Sequence, residues 1–298
     1  MAYKPGGGDR ANQNRCRQCI LLYKEVFNIP NTLINGVRLH WELTGDSGDP
    51  LVLVHGSWID HRNWDAIVPA LSRRFRVVTY DRRGHSQSER PVGPGNVSED
   101  VADLGGLIDD LGLRPAHILG NSFGAVIALR LAAEQPSFFR SLLVHEPPLF
   151  GLLDVRARED LLRSEVPLCA VVDLLEQGQM EAGARLFYES VVRASTWEDR
   201  LPEVRQRWIF NAPTFLDEER DASSRRVDLG ALSHFTRPTL LTLGDQSPAV
   251  FRFIVEMLAH ALPHAQIRTV AGAGHGPHVT HPTEYAETVV SFIRTSSS

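Results

Sequence analysis

The stretch HILGNSFGAVIALR, residues 117–130, decides the fold. His117 to Leu119 read as the end of a buried strand. From Phe123 onward, FGAVIALRLAAEQ is rich in helix formers, with Ala and Leu at helical spacing. Ser122 stands at the junction, with Gly120 two residues before it and Gly124 two after. So sharp a strand-to-helix corner strains the central residue, and flanking glycines relieve the crowding. In a parallel sheet the ligand crevice lies beyond the carboxyl ends of the strands, so a side chain on that corner projects into it. The following helix directs its first N–H groups at the same spot, where an anion is stabilised. The pattern G-x-S-x-G carries meaning here because a strand precedes it and a helix follows. The plainer alternative makes Ser122 a helix cap.

Working outward, NTLINGVRLHWELTG (31–45) alternates about Asn35-Gly36 and predicts a hairpin. DPLVLVHGSW (49–58) and FRVVTYDRRGHSQS (75–88) read as buried strands running into polar loops. DHRNWDAIVPALSRR (60–74) reads as a helix capped near Asp60, and VSEDVADLGGLIDDLGL (97–113) as a helix capped by Ser98. After the Ser122 corner comes RSLLVHEPP (140–148), a strand closed by two prolines. Residues 149–228 then show helical periodicity and no buried strand. The alternation resumes with RPTLLTLGDQSP (237–248), AVFRFIVEMLAHALP (249–263), AQIRTVAGAGH (265–275) and PTEYAETVVSFIRT (282–295). Strands alternating with helices imply βαβ units and a mostly parallel central sheet flanked by helices, an α/β fold. The organisation expected is a flexible N-terminal extension (1–28), a first part of the core (29–148), a helical cap (149–228) and a second part of the core (229–298).

The 298 residues are 43% hydrophobic and 22% charged, ordinary for a globular protein, with a formal net charge of −5. No basic surplus is present to neutralise phosphates or an anionic membrane surface, which argues against a nucleic-acid or membrane partner. No apolar run approaches a membrane span, and the polar, Gly-rich start lacks the core of a secretory signal. Three cysteines, Cys16, Cys19 and Cys169, are a sparse, odd set suited to a reducing cytosol, so a cytoplasmic location is expected. Cys16 and Cys19 form a C-x-x-C pair without a second ligand pair nearby, which reads as incidental rather than as zinc or redox chemistry. A homo-oligomer stays open.

A serine hydroxyl needs a base at neutral pH. His275 supplies one: it follows a Gly-Ala-Gly turn directly after the strand IRTV, over the same crevice. His278 and His281 continue an i, i+3, i+6 series, but no acidic or cysteine cluster accompanies them. They read as rim or capping residues, and neither a metal nor an organic cofactor is expected.

Four segments in this order, HGSW (55–58), DRRGHSQS (81–88), GNSFGA (120–125) and GAGH (272–275), resemble the landmarks of capped serine hydrolases of the α/β-hydrolase fold. The resemblance covers residues 31–150 and 229–298. It implies that the backbone N–H groups of Ser57 and Phe123 form an oxyanion hole. Ser86 departs from the family's D-x-R-G-x-G-x-S loop, where glycine is usual. The family's acid usually ends a G-x-x-D pattern after the cap. Here LGDQSP puts Ser247 at that position, and Asp245 stands two residues early. A second place in the fold, the end of the strand before the cap, holds Glu146. That placement is similar to fungal lactone hydrolases acting on zearalenone and to some haloalkane dehalogenases. Glu146 is therefore the expected acid, with Asp245 as the alternative.

The expected substrate is a hydrophobic small molecule carrying a carboxylic ester or lactone. Gly56, Trp58, Phe187, Tyr188, Trp208 and Phe215 are the candidate pocket residues, with Trp197 and Phe210 nearby in sequence. These aromatics either line the pocket or pack the cap onto the core. A carbon–carbon bond hydrolase acting on a diketone-type substrate, or a non-catalytic small-molecule receptor of the same fold, are the alternatives.

Overall fold

Asn35 and Gly36 both take positive φ, 46° and 79°, the left-handed pair that a two-residue hairpin turn requires. Strand β1 (Asn31–Ile34) therefore returns antiparallel as β2 (Val37–Thr44). The structure, a computed structural model, describes residues 31–155, 159, 167–192 and 196–296. The expected extension 1–28, with Cys16 and Cys19, lies outside the described residues.

Six further strands complete one eight-stranded sheet: β3 (Pro50–Val54), β4 (Arg76–Tyr80), β5 (Ala116–Asn121), β6 (Phe139–His145), β7 (Thr239–Gly244) and β8 (Ala265–Val270). Their order is β1-β2-β4-β3-β5-β6-β7-β8. β2 pairs antiparallel with β1 and β4, and every other pair is parallel. Central strands are apolar at successive positions because both faces are covered. Leu51 and Leu53 of β3 face one core with Leu119, Leu143 and Leu240. Val52 and Val54 face the other with Ile118, Leu142, Val144 and Leu241.

Helices α1 (Val97–Asp110) and α2 (Phe123–Glu134) pack on the second of these cores. Between β6 and β7 the described elements are helical: α3 (Leu168–Glu176), α4 (Met180–Phe187) with a following π turn (Tyr188–Val192), and α5 (Pro202–Arg220). α6 (Ala249–Ala261) joins the same core as α1 and α2, and α7 (Pro282–Ser296) covers the opposite face. Among the described residues, no helix is long and apolar enough to cross a membrane.

Two sequence expectations need correction. The cap of α1 is Asn96, not Ser98: Asn96 accepts from the Glu99 N–H, and Glu99 reaches back to the Asn96 N–H, a reciprocal capping box. Residues 60–74 do not form one helix either. Asp60 caps a 3₁₀ turn at His61–Trp64, and a separate short helix spans Val68–Leu71. Pro69 lacks the N–H that a continuous helix would need there.

The corner glycines act through space rather than through backbone freedom. A Cβ on Gly124 would lie 2.2 Å from the Val54 carbonyl oxygen and 2.5 Å from that of His55. One on Gly120 would meet the Gly124 oxygen at 2.4 Å. Gly124 thus lets α2 press on β3. Gly124→Ala is expected to destabilise the protein by about 2–3 kcal/mol, read as a lower urea midpoint at unchanged slope.

Candidate active site

All the sequence-predicted polar groups hang from the carboxyl ends of parallel strands, as a ligand crevice requires. Ser122 closes β5 with φ 53° and ψ −122°, a strained conformation that costs of order 1–3 kcal/mol. Its N–H donates to the His145 carbonyl at 2.8 Å, so pairing with β6 holds the corner in place.

His275 stands in the turn after β8, and Asn121 donates to its carbonyl at 3.2 Å. Its Nδ1 lies 2.6 Å from Glu146 Oε2, while Phe251 stacks on the ring at 4.6 Å between centroids. Nε2 is buried without a hydrogen-bond partner among the described residues. Glu146, immediately after β6, has no solvent exposure and takes a positive φ of 43°. Its Oε1 accepts the Gly244 N–H at 2.7 Å. Burial pushes its carboxyl up, but the His145 and His275 imidazoles, with the Ser247 hydroxyl, outweigh that and hold its pKa below the ordinary carboxylate value. His145 itself is pushed down to about 4 by burial, against the attraction of Glu146, and stays neutral. Asp245 is directed elsewhere: its Oδ1 accepts the Gly272 N–H at 2.8 Å and bonds the Gln246 amide. The structure therefore brings Glu146, not Asp245, to His275.

Beyond β3, His55 shapes the loop that carries Gly56 and Ser57. Its Nε2 accepts the Arg82 N–H at 2.9 Å, which leaves Nδ1 to donate to the Gly56 carbonyl at 2.8 Å. Burial, aided by the Arg82 charge, lowers its pKa to about 4. Phe123 is the first residue of α2, so its N–H has no acceptor within the helix. The Ser57 hydroxyl donates to Glu218 Oε2 of α5. Glu218 also accepts from Arg82 at 2.9 Å, and Arg82 forks onto Asp100 at 3.0 and 3.1 Å. Arg82 in turn lies 4.6 Å from the centroid of the Phe123 ring. Burial raises the Glu218 pKa despite the Arg82 and Arg225 charges.

Glu218 belongs to a polar stripe along α5. Arg207 pairs with Asp60 at 3.2 Å. Asn211 donates to the Trp58 and Ile59 carbonyls and accepts the Ser86 N–H at 2.9 Å. Thr214 bonds His85 at 2.9 Å. The spacing 207, 211, 214, 218 is one helix face. Ser86 has φ 40°, a conformation that favours glycine. It turns that strained position to use by donating its N–H to Asn211 and its hydroxyl to Asp60.

A cavity of about 250 Å³ holds Ser122, His275, Gly56 and Ser57, with Phe187, Tyr188 and Trp208 on its walls. Trp58 and Phe215 do not line it. Trp58 is fully buried against Trp208, Phe187 and Phe215, at 5.9, 5.3 and 4.8 Å, so this pair forms the layer behind the wall. Trp197 is buried against Tyr188 and Trp208, and Phe210 is exposed. His278 is buried, bonded to the Asn63 amide and present in the lining, whereas His281 bonds Thr280 at 2.9 Å.

Among the described residues, three groups place histidine and acidic ligand atoms close enough for a metal: His40, Glu42 and His61; Asp60, His61 and Asp81; and His145, Glu146 and His275. None includes His278 or His281. In the third, His275 Nδ1 and Glu146 Oε2 already engage each other. Sequence reasoning missed Arg82, Asn211 and Glu218. The helical spacing of polar residues along α5 is the signal that marks the last two.

The profile of the alpha/beta hydrolase family matches residues 51–288. The sn-1-specific diacylglycerol lipase ABHD11 of Mus musculus is 29% identical over 274 residues, covering 84% of this chain and 83% of that protein. The 2-hydroxymuconate semialdehyde hydrolase of a Pseudomonas species is 27% identical over 274 residues, covering 87% and 91%. The solved structure of a hydrolase from Pseudomonas aeruginosa superposes with a TM-score of 0.72 at 26% identity, over 90% of this chain and 98% of that one.

Removing the Glu218 carboxylate would leave Arg82 half-compensated in a site closed to water. Glu218→Ala is expected to cost about 3 kcal/mol or more in urea unfolding. Glu218→Gln, which keeps a hydrogen-bond acceptor for Ser57, is expected to cost less.

Proposed function

The chain belongs to the alpha/beta hydrolase family, and from that premise we propose that it is a serine hydrolase cleaving a carboxylic ester or lactone. The observation that carries this reading is the 2.6 Å contact of Glu146 with His275 Nδ1, in the cavity that also holds Ser122. That contact fixes the tautomer: Nδ1 carries the proton toward the carboxylate, and Nε2 is left as the base.

In this mechanism His275 Nε2 takes the Ser122 proton as Oγ attacks the substrate carbonyl. The oxyanion is held by the Ser57 and Phe123 N–H groups, which stabilise charge only as it develops. Collapse of the tetrahedral intermediate expels the alcohol, protonated by His275, and leaves an acyl group on Ser122. Water deprotonated by the same imidazole attacks the acyl carbonyl, and release of the acid restores the serine. Glu146 stabilises the imidazolium at each stage without accepting the proton. The helices between β6 and β7 act as a cap whose Phe187, Tyr188 and Trp208 face an apolar substrate. The diacylglycerol lipase relative supports an ester substrate. The semialdehyde hydrolase relative favours a second reading, carbon–carbon bond hydrolysis by the same serine and histidine.

A fluorophosphonate followed by intact mass measurement tests the core of this reading. Wild type should gain one adduct and Ser122→Ala none, and a well-folded wild type that gains none would falsify it. With an ester substrate, Glu146→Gln should lose about 10²–10⁴ in kcat, because a neutral amide favours the wrong imidazole tautomer. Asp245→Asn should stay within about threefold of wild type, as a group outside such a unit does. The reverse pattern would transfer the acid role to Asp245.

A further inference from the structure

The cavity around Ser122 is not uniformly apolar. Arg62, Arg200 and Arg207 all line it, against a single carboxylate in the lining, Asp65. Arg62 and Arg207 share one buried acid, Asp60, at 2.6 and 3.2 Å. Arg200 feels the neighbouring Asp199, but that carboxylate bonds the Thr196 N–H and hydroxyl at 3.2 and 2.7 Å. Arg200 makes no ion pair with any described residue. Its guanidinium stands 5.6 Å from the Tyr188 ring centroid, and a ring face leaves the edge donors of the fork unfilled. The Nε atoms of Arg200 and Arg207 are both buried without a partner among the described residues. What the cavity can use is the outer edge of the Arg200 fork, which no described carboxylate occupies. Asp65 is exposed, so its charge is spent largely on solvent.

We infer that the substrate carries a carboxylate at the end remote from the bond cleaved, and that Arg200, supported by Arg207, receives it. This rests on the reading of Ser122 as nucleophile. The planar guanidinium fork matches a carboxylate bidentately, in a charge-assisted pair. The substrate is thus amphiphilic: an apolar chain against Phe187 and Trp208, with an acid at one end. The cavity volume limits it to a small molecule.

The test compares two substrates of one shape, the monomethyl ester of adipic acid and its terminal amide, on wild type, Arg200→Gln and Arg200→Lys. Wild type should prefer the carboxylate ester. In Arg200→Gln the ratio of kcat/KM values, charged over neutral, should fall about tenfold or more, as expected for the loss of a charged hydrogen bond. The change should lie mainly in KM, and Arg200→Lys should recover part of it. A ratio unchanged by Arg200→Gln, or a wild type that prefers the amide or cleaves neither ester, overturns the inference. If the enzyme still takes one fluorophosphonate on Ser122, the hydrolase reading survives that failure. If it takes none, both fall together.

Discussion

One fully buried carboxylate ties three strand ends together. Glu146 leaves β6 in a left-handed conformation, gives one oxygen to the backbone of Gly244 at the end of β7, and gives the other to His275 beyond β8. A buried charge without such partners would be neutralised or expelled. The surroundings are therefore arranged around it. His145 is kept neutral beside it, Phe251 seals the imidazole face, and Asn121 anchors the backbone of the histidine turn. The strain at residue 146 persists because two directional bonds determine where the carboxylate must sit. Loss of the second bond would free the His275 ring while Asn121 still held its backbone.

The second organising feature runs along α5. Its polar face reaches the loop after β3 through Glu218 and Asn211, and the loop after β4 through Asn211, Thr214 and Glu218. Its other side gives Trp208 to the cavity wall and Phe215 to the layer behind it. Buried polar contacts of this kind add little net stability over an apolar interface, because desolvation offsets most of the attraction. What they fix is register, since a helix shifted by one residue would leave Glu218 and Asn211 unpaired and Arg82 with Asp100 alone.

Local signals made much of this legible in the sequence. The Asn-Gly hairpin, the continuous apolar strands and the glycine-flanked corner each follow from residues within a few positions of one another. The placement of Ser122 and His275 beyond strand ends follows from the residues just before them. The choice between Glu146 and Asp245 was not open to such reasoning. It depends on which strand end faces the histidine turn, and both β6 and β7 lie on that side of β5. The Arg82 and Glu218 pair, 136 residues apart, left no local trace. Trp58 and Trp208 look alike as aromatic residues near the site, and only packing separates the ring that faces the cavity from the ring behind it.

The bonded face of α5 also governs how a reactant can enter. To swing this helix outward, the protein would have to uncover Arg82, Glu218 and Asn211 at once and strip the Ser57 loop of its brace. Such a movement would leave the Gly56 and Ser57 loop without its contacts to this helix. With α5 seated, the cavity is bordered by Arg62, Arg200 and Arg207. Broader reactants are more readily accommodated by trimming Phe187 or Tyr188 than by loosening the helix that holds the site together.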